Sequence, residues 1–203
     1  MLTETEWDDF YKKIAGRYPR PALTDALALF EKEPAPAEPR LAIDLGSGDG
    51  IECIFLLERG WRVLAVDGDP SAAKWLEEKT PPEMRDRLQI LTAKFEDVSL
   101  PHADLIHSSF SMPFCPPEHF PAFWKRVADA VTPGGRFAGQ FFGVRDEWAN
   151  EPNMTFLTEE QVRGLFVGFE IETFHEKDRE GKSARGMKHW HVFTVIARKP
   201  VNA

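Results

Sequence analysis

From residue 40 onward, short runs of apolar residues alternate with stretches in which apolar positions recur at helical spacing. Short bounded runs favour strands, and the longer periodic stretches favour amphipathic helices. The expected strands cover residues 41–45, 61–67, 87–93, 103–109 and 132–143, the last of them opening with a turn. The expected helices cover residues 51–60, 70–79 and 117–131. This alternation is typical of a parallel sheet with crossover helices on its faces.

The C-terminal part follows a different pattern. Thr158 and Gln161 have the spacing of a capping box and predict the start of a helix. Two strand patterns come next, at 169–177 and 188–199, with no helical pattern between them. The polar stretch 178–186 predicts a hairpin-like loop that joins the two strands. We therefore expect a series of crossover units that is closed by an antiparallel hairpin.

The N-terminal part has its own helical pattern over residues 7–32, interrupted at the sequence RYPRP. Residues 31–40 follow with alternating prolines, which exclude a helix and favour an extended linker. We expect residues 1–39 to form a helical segment with a linker, and residues 40–203 to form the main domain.

Composition and charge narrow the class of partner. The length of 203 residues fits one domain, and the net charge of −8 argues against nucleic acid or an anionic membrane surface as a partner. Two cysteines are too few for a disulfide framework and indicate a reducing compartment, so we expect a cytoplasmic protein. The acidic first residues do not predict a signal peptide, and no apolar run is long enough to predict a membrane span.

Glycines at alternate positions follow the first strand, in the sequence DLGSGDG over residues 44–50. Glycines allow a tight turn and let a ligand lie against bare backbone. A dinucleotide fingerprint needs a glycine where Ile51 stands, and the Gly-Lys-Ser/Thr of a phosphate loop is absent. The remaining option is an adenosine ligand without phosphates. Asp44 at the strand end favours a cationic ligand over pyrophosphate.

The sequence DLGSGDG resembles motif I of the class I S-adenosylmethionine (SAM) dependent methyltransferases, Asp/Glu-x-Gly-x-Gly-x-Gly. The order of elements from residue 40 to the end is similar to that family as well. The resemblance implies a doubly wound, Rossmann-like α/β fold with a seven-stranded, mostly parallel sheet. Its strand order would be 3-2-1-4-5-7-6, with the last strand antiparallel. It also implies that the protein is an enzyme, with SAM as the cofactor and methyl transfer as the activity.

Within the family, the size of the chain and the stretch 112–143 look most like small bacterial methyltransferases of the tellurite-resistance-like type. These relatives act on small molecules, so the resemblance implies a small-molecule acceptor and a monomer or homodimer. In relatives, an N-terminal segment folds over the cofactor as a lid. Aromatic and basic residues of residues 1–39 are candidates for contacts from such a lid: Trp7, Tyr11, Tyr18 and Arg20.

The resemblance also implies the cofactor-binding residues. The acid at the tip of the second strand binds both ribose hydroxyls in the family, and Asp67 stands at that place. Such charge-assisted hydrogen bonds are worth about 1.5–3 kcal/mol each. The turn after the third strand offers Glu96 or Asp97 for the adenine edge. The expected cofactor-binding residues are Asp44, Leu45, Gly46, Ser47, Gly48, Gly50, Asp67, Gly68, Asp69, Phe95, Glu96, His107 and Ser108.

The sequence does not identify which side chain assists the methyl transfer. A base is needed only where the acceptor must lose a proton, and the candidates are His107, Arg145, His189 and His191. His189 and His191 would share one face of a strand. A metal site would need His175 as well, and we expect none because no carboxylate cluster is evident in the sequence.

Two other functions remain as alternatives. A SAM-binding sensor, or a non-catalytic subunit of a larger enzyme, would keep the same cofactor residues. A nicotinamide-dependent oxidoreductase is disfavoured by Ile51 and by the absence of a Tyr-x-x-x-Lys sequence.

Overall fold

The computed structural model describes residues 9, 11–12, 16–183 and 186–201. Its strands are β1 (Leu41–Leu45), β2 (Arg62–Asp67), β3 (Leu88–Thr92), β4 (Ala103–Ser108), β5 (Val131–Gly143), β6 (Phe156–Leu157), β7 (Glu170–Ser183) and β8 (Gly186–Arg198). Its α-helices are α1 (Pro21–Phe30), α2 (Ile51–Glu58), α3 (Pro70–Lys79), α4 (Phe120–Ala130) and α5 (Glu159–Leu165). Two 3-10 helices lie at Pro82–Arg87 and Met112–Phe114.

The strands form one sheet in the order β3-β2-β1-β4-β5-β8-β7. Strands β1 to β5 are parallel, and β8 is antiparallel to both β5 and β7. The expected order and the antiparallel last strand are confirmed. The short strand β6, which pairs with β5, was not expected, and it shifts the numbers of the last two strands by one.

The sheet is covered on both faces, because its central strands carry apolar side chains on each side. On one face, Ile43 of β1 belongs to a core that also contains Phe123 of α4 and Val162 of α5. On the other face, Ala42 packs in a core with Leu27 of α1 and Leu56 of α2. The N-terminal helix α1 is therefore part of a layer that covers the sheet.

The last two strands are longer than the sequence pattern predicts. The expected loop at 178–186 is wrong for most of its length, since β7 continues to Ser183 and β8 begins at Gly186. The polar side chains there pair across the two strands, with the His189 ring between the carboxylates of Asp178 and Glu180. Alternating charges thus stabilise an exposed ribbon that has few apolar residues. The connection at 184–185 lies outside the described residues.

Within the described residues, no helix combines the length and the apolar character that crossing a membrane requires.

Candidate active site

The glycine loop, residues 46–50, joins β1 to α2 at the carboxyl edge of the sheet. Gly46, Gly48 and Gly50 have φ values of 76°, 51° and 77°, the left-handed region that favours glycine. The backbone N–H groups of Gly46 and Ser47 donate to the carbonyl of Val66, at 2.7 and 3.1 Å. The loop therefore curls over the end of β2, and its bare backbone faces the ligand edge of the sheet.

A serine that the sequence did not single out joins this loop to β4. The Ser111 hydroxyl donates to the carbonyl of Leu45 and lies 2.6 Å from the Ser108 hydroxyl. A Cβ atom at Gly46 would stand 2.2 Å from the Ser111 Cβ. Gly46 is thus required by the packing of the protein itself. No local pattern predicts this contact, because Ser111 lies 66 positions after Leu45 in the sequence and folding alone brings them together.

Asp67, the last residue of β2, points its carboxylate at the glycine loop. Its Oδ2 accepts from the backbone N–H of Gly48 at 2.8 Å, and its Oδ1 accepts from that of Asp69 at 2.9 Å. Burial raises the pKa of Asp67, and the backbone donors oppose this rise. The Asp69 carboxylate caps α3 through the N–H of Ser71 at 2.8 Å. The two acids therefore have different surroundings at one edge of the loop.

Two further acids are buried here, Asp44 at the end of β1 and Asp49 in the loop itself. Asp44 accepts a hydrogen bond from the Cys53 thiol at 3.2 Å, and burial raises the pKa of this carboxyl to about 8. Asp49 is 1% exposed, and neither of its oxygens has a hydrogen-bond partner among the described residues. Arg17 and Lys79 lie 3.7 and 3.8 Å from its oxygens. Burial raises the pKa of Asp49 as well.

The N-terminal segment packs on this acidic loop. Arg17 donates from both terminal nitrogens to the buried carboxylate of Glu52 on α2. The buried ring of Tyr11 lies against Gly48, where an added Cβ would stand 3.1 Å from the ring. Burial raises the pKa of Tyr11, and the charges of Asp67, Asp69 and Asp49 raise it further. Tyr18 is exposed, and Trp7 lies outside the described residues. The sequence pattern did not predict Arg17 or Glu52.

The turn after β3 brings one of its candidates to the loop. Phe95 stacks on Phe123 with ring centroids 4.8 Å apart, and its ring edge is 3.7 Å from the position of a Gly46 Cβ. The carbonyls of Phe95 and Glu96 accept from the Arg126 guanidinium. Glu96 is half-buried and Asp97 is exposed.

His107 of β4 is fully buried beside Asp44, its partner in the neighbouring strand. Its Nδ1 is 2.8 Å from the carbonyl of Ala138. Because a carbonyl only accepts, Nδ1 carries the proton and Nε2 has a free lone pair. Nε2 has no partner among the described residues. Burial lowers the pKa of His107, so the ring is neutral.

The three other catalytic candidates form an ion-pair network with the ribbon of β7 and β8. Arg145 binds Asp178 at 2.7 Å and Glu176 at 2.6 Å. The His191 Nδ1 accepts from the backbone N–H of Arg145 at 2.9 Å, and His189 lies 2.7 Å from Asp178. Strands β4 and β5 stand between this network and β1. The structure therefore separates His107 from the other candidates.

The same network contains the ligand atoms of a possible metal site, in Glu176, Asp178 and His191, all within 4.8 Å of one another. The guanidinium of Arg145 already binds both carboxylates. Since Nδ1 of His191 accepts, its Nε2 carries the proton and donates to Glu176 at 2.8 Å. Arg145 thus neutralises the carboxylates of Glu176 and Asp178, which no sequence pattern had brought together.

Comparison with known proteins agrees with this architecture. Residues 42–135 match the model of a methyltransferase domain family. No curated protein sequence matches the chain significantly. Among solved structures, TehB from Haemophilus influenzae is similar with a TM-score of 0.75 and 17% identity, over 96% of this chain and 67% of that one.

Two other solved structures are similar to this chain over nearly the whole length of both proteins. A SAM-dependent methyltransferase from Methanosarcina mazei has a TM-score of 0.67 and 18% identity, over 91% of this chain and 100% of that one. The 1,6-didemethyltoxoflavin-N1-methyltransferase of Burkholderia thailandensis has a TM-score of 0.64 and 17% identity, over 98% and 92% of the two chains. The match assigns residues 42–135 to a methyltransferase domain family, and the solved structures show that the chain has the fold of SAM-dependent methyltransferases.

Proposed function

We propose that the protein transfers the methyl group of SAM to a small-molecule acceptor, and that the glycine loop and its neighbours bind the cofactor. SAM supplies an electrophilic methyl group on a cationic sulfonium, so the chain has to bind the cofactor, align the acceptor and exclude water. The cofactor is held by Asp44, Leu45, Gly46, Ser47, Gly48, Gly50, Asp67, Gly68, Asp69, Phe95, Glu96, His107 and Ser108.

The observation that carries this proposal is the excess of carboxylates around a bare loop. The acids at the loop are Asp44, Asp49, Glu52, Asp67 and Asp69, and the bases that reach them are Arg17 and Lys79. Burial raises the pKa of Asp49, and Arg17 and Lys79 approach its oxygens only to 3.7 and 3.8 Å, so the ionised carboxylate needs further positive charge nearby. A cationic ligand with an ammonium group meets that need, whereas a pyrophosphate would be repelled.

Each acid has a separate role in this proposal. Asp67, held by backbone N–H groups at the mouth of the loop, binds the ribose hydroxyls. Asp44 and Asp49, which are buried deeper, favour the positive end of the cofactor. Gly68 has open space in front of it, since an added Cβ would find its nearest neighbour at 3.9 Å, and leaves room for the adenine.

Residues 1–39 act as a lid on this site, and residues 40–203 form the methyltransferase domain. Tyr11 covers Gly48, and Arg17 ties the segment to α2 through Glu52. The anchoring of α1 in the core keeps the lid close to the loop.

His107 is the proton acceptor in this scheme for an acceptor molecule that must lose a proton. The neutral ring has a free Nε2 lone pair next to Asp44, and the hydrogen bond to Ala138 fixes the tautomer. The network of Arg145, His189 and His191 holds the ribbon of β7 and β8 to the end of β5.

A small molecule as acceptor is supported by the net charge of −8, which disfavours nucleic acid. It is also supported by the similarity to an enzyme that binds 1,6-didemethyltoxoflavin. The two cysteines, buried and without a disulfide, support a cytoplasmic location.

The test combines calorimetry with a methyl-transfer assay. The protein is expected to bind S-adenosylhomocysteine and not NAD, and to move the labelled methyl of SAM into a fraction of small metabolites. Asp67→Ala should lower the labelling at low SAM about 10–100-fold, while the exposed Asp86→Ala serves as the control. Binding without any labelling would favour a sensor or a non-catalytic subunit.

A further inference from the structure

Phe110, which follows β4 directly, has an unusual backbone. Its φ of +56° is the one positive value found among the non-glycine residues that the structure describes. Such a conformation costs about 1–3 kcal/mol and persists where the surroundings impose it. The next residue, Ser111, binds the carbonyl of Leu45 beside the glycine loop. The strained turn therefore lies directly before the residue that contacts the glycine loop, and its Phe110 ring lies at this end of β4.

Parts of the chain that are distant in sequence meet at this ring, which packs on Phe142 of β5 with centroids 6.1 Å apart. The guanidinium of Arg20, just before α1, lies 5.0 Å from its centroid. The ring of Trp190, on β8, lies 5.6 Å away at an interplanar angle of 71°. The ammonium of Lys177, on β7, lies 5.1 Å from the centroid of Trp190. We call this set the cation–aromatic cluster: Arg20, Phe110, Trp190 and Lys177.

Neither cation of the cluster has a carboxylate within 4 Å among the described residues, although the chain has 33 acids and 25 bases. The acids nearby are already bound. Glu52 is paired with Arg17, and the oxygens of Asp146 accept from Lys188 and from the backbone of His191.

Two buried donors of the cluster also lack an acceptor among the described residues. The Arg20 Nε and the Trp190 Nε1 are buried, and neither has an acceptor within the described part of the chain. Burial lowers the pKa of Arg20, and Arg17 lowers it further. Burial also lowers the pKa of Lys177, and the charges of Arg179 and Arg20 add to this. Half-buried cations and buried N–H groups without acceptors are costly, and a bound anion would supply both the opposite charge and the acceptors.

We propose that the cation–aromatic cluster binds the methyl acceptor, and that this acceptor is a small organic carboxylate with a flat apolar body. The carboxylate lies between Arg20 and Lys177, and the body packs on Phe110 and Trp190. The inference rests on the proposed methyl transfer, because it is the adjacent cofactor loop that makes a ligand here an acceptor.

The cofactor has a carboxylate of its own, which could occupy the cluster in place of an acceptor carboxylate. The experiment therefore uses protein whose cofactor site is already filled. Benzoate, phenylacetate and 2-naphthoate are titrated calorimetrically into the protein saturated with S-adenosylhomocysteine, each beside its neutral primary amide. At least one carboxylate should bind, about tenfold or more tightly than its amide. No carboxylate binding, or equal affinity for acid and amide, would overturn the proposal.

Variants of the two cations test whether the carboxylate binds at the cation–aromatic cluster. Lys177→Met and Arg20→Gln should each weaken carboxylate binding about tenfold and leave the affinity for S-adenosylhomocysteine unchanged. Lys182→Met, an exposed lysine on the same strand, is the matched control and should change neither. If both variants weaken S-adenosylhomocysteine instead, the cations serve the cofactor and the inference is wrong. Failure of the unaltered protein to bind S-adenosylhomocysteine would refute the proposed function separately.

Discussion

The Oδ2 atom of Asp67 accepts a hydrogen bond of 2.8 Å from the backbone N–H of Gly48. This contact joins the tip of β2 to the glycine loop after β1. The carboxylate is therefore held at the mouth of the loop and does not point into solvent. A ribose placed there would meet an acceptor that backbone N–H groups have already oriented.

Gly46→Ala should destabilise the fold and weaken cofactor binding. The new Cβ would overlap Ser111, and a φ of 76° disfavours any side chain. We expect a loss of about 2–5 kcal/mol in the free energy of unfolding, from overpacking and from the left-handed backbone. Urea denaturation measures this loss. Gly164→Ala is the control, because that helical glycine has open space around it, and it should be neutral or stabilising.

Asp44 should make the stability of the ligand-free protein depend on pH. Its pKa in the folded state is raised to about 8, well above that of an unfolded chain, so the folded protein holds a proton that the unfolded chain releases. The stability from this group is complete at acid pH and is lost as pH rises toward about 8. Unfolding in urea at several pH values should therefore show a steeper decline for the native protein than for Asp44→Asn. Parallel curves would contradict this.

The affinity for S-adenosylhomocysteine should also depend on the protonation of Asp44, but it should increase with pH whereas the stability decreases. The ammonium of the ligand favours the Asp44 carboxylate, so affinity should rise as pH increases from about 6 to about 8. Asp44→Asn should bind more weakly and show a flatter profile. A native profile that falls with pH would exclude this role for Asp44.

Asp146→Ala should destabilise the fold strongly. Asp146 binds the ammonium of Lys188, which is 3% exposed and lies 3.5 Å from the centroid of Trp148. Removing one partner of a buried ion pair costs about 3–5 kcal/mol. Asp129→Ala breaks an exposed pair with Lys125 and should cost about 0–1 kcal/mol. Equal melting temperatures for the two variants would argue against a buried pair.

Tyr11→Ala tests the lid. If Tyr11 covers the bound cofactor, its removal should speed the release of S-adenosylhomocysteine about tenfold, with little change in the association rate. Stopped-flow fluorescence measures both rates. Tyr18→Ala alters an exposed tyrosine of the same segment and should have no effect. A faster association with unchanged release would mean that Tyr11 blocks the site.

The glycine loop and its contact with Asp67 could be predicted from the sequence because their requirements are local. Glycines at alternate positions after a buried strand, and an acid at the end of the next strand, leave a pattern within about 25 residues. The expected strand order is confirmed for the same reason, since each crossover unit has its own signal.

The cation–aromatic cluster could not be found in this way. Arg20, Phe110, Lys177 and Trp190 come from four distant segments, and nothing near any one of them predicts the others. The hairpin loop was predicted wrongly because cross-strand pairs of charged residues, such as Asp178 with His189, stabilise a ribbon whose sequence is typical of a loop.

Calorimetry decides whether Asp67 binds the ribose, by comparing the affinity of Asp67→Ala for S-adenosylhomocysteine with the affinities of the native protein and Asp86→Ala. We expect Asp67→Ala to lose affinity about 10–100-fold, or about 1.4–2.8 kcal/mol, with an unchanged far-ultraviolet spectrum. Asp86→Ala should bind as the native protein does. Undiminished affinity in Asp67→Ala would show that this carboxylate does not hold the ribose and that the cofactor does not bind at the glycine loop as proposed.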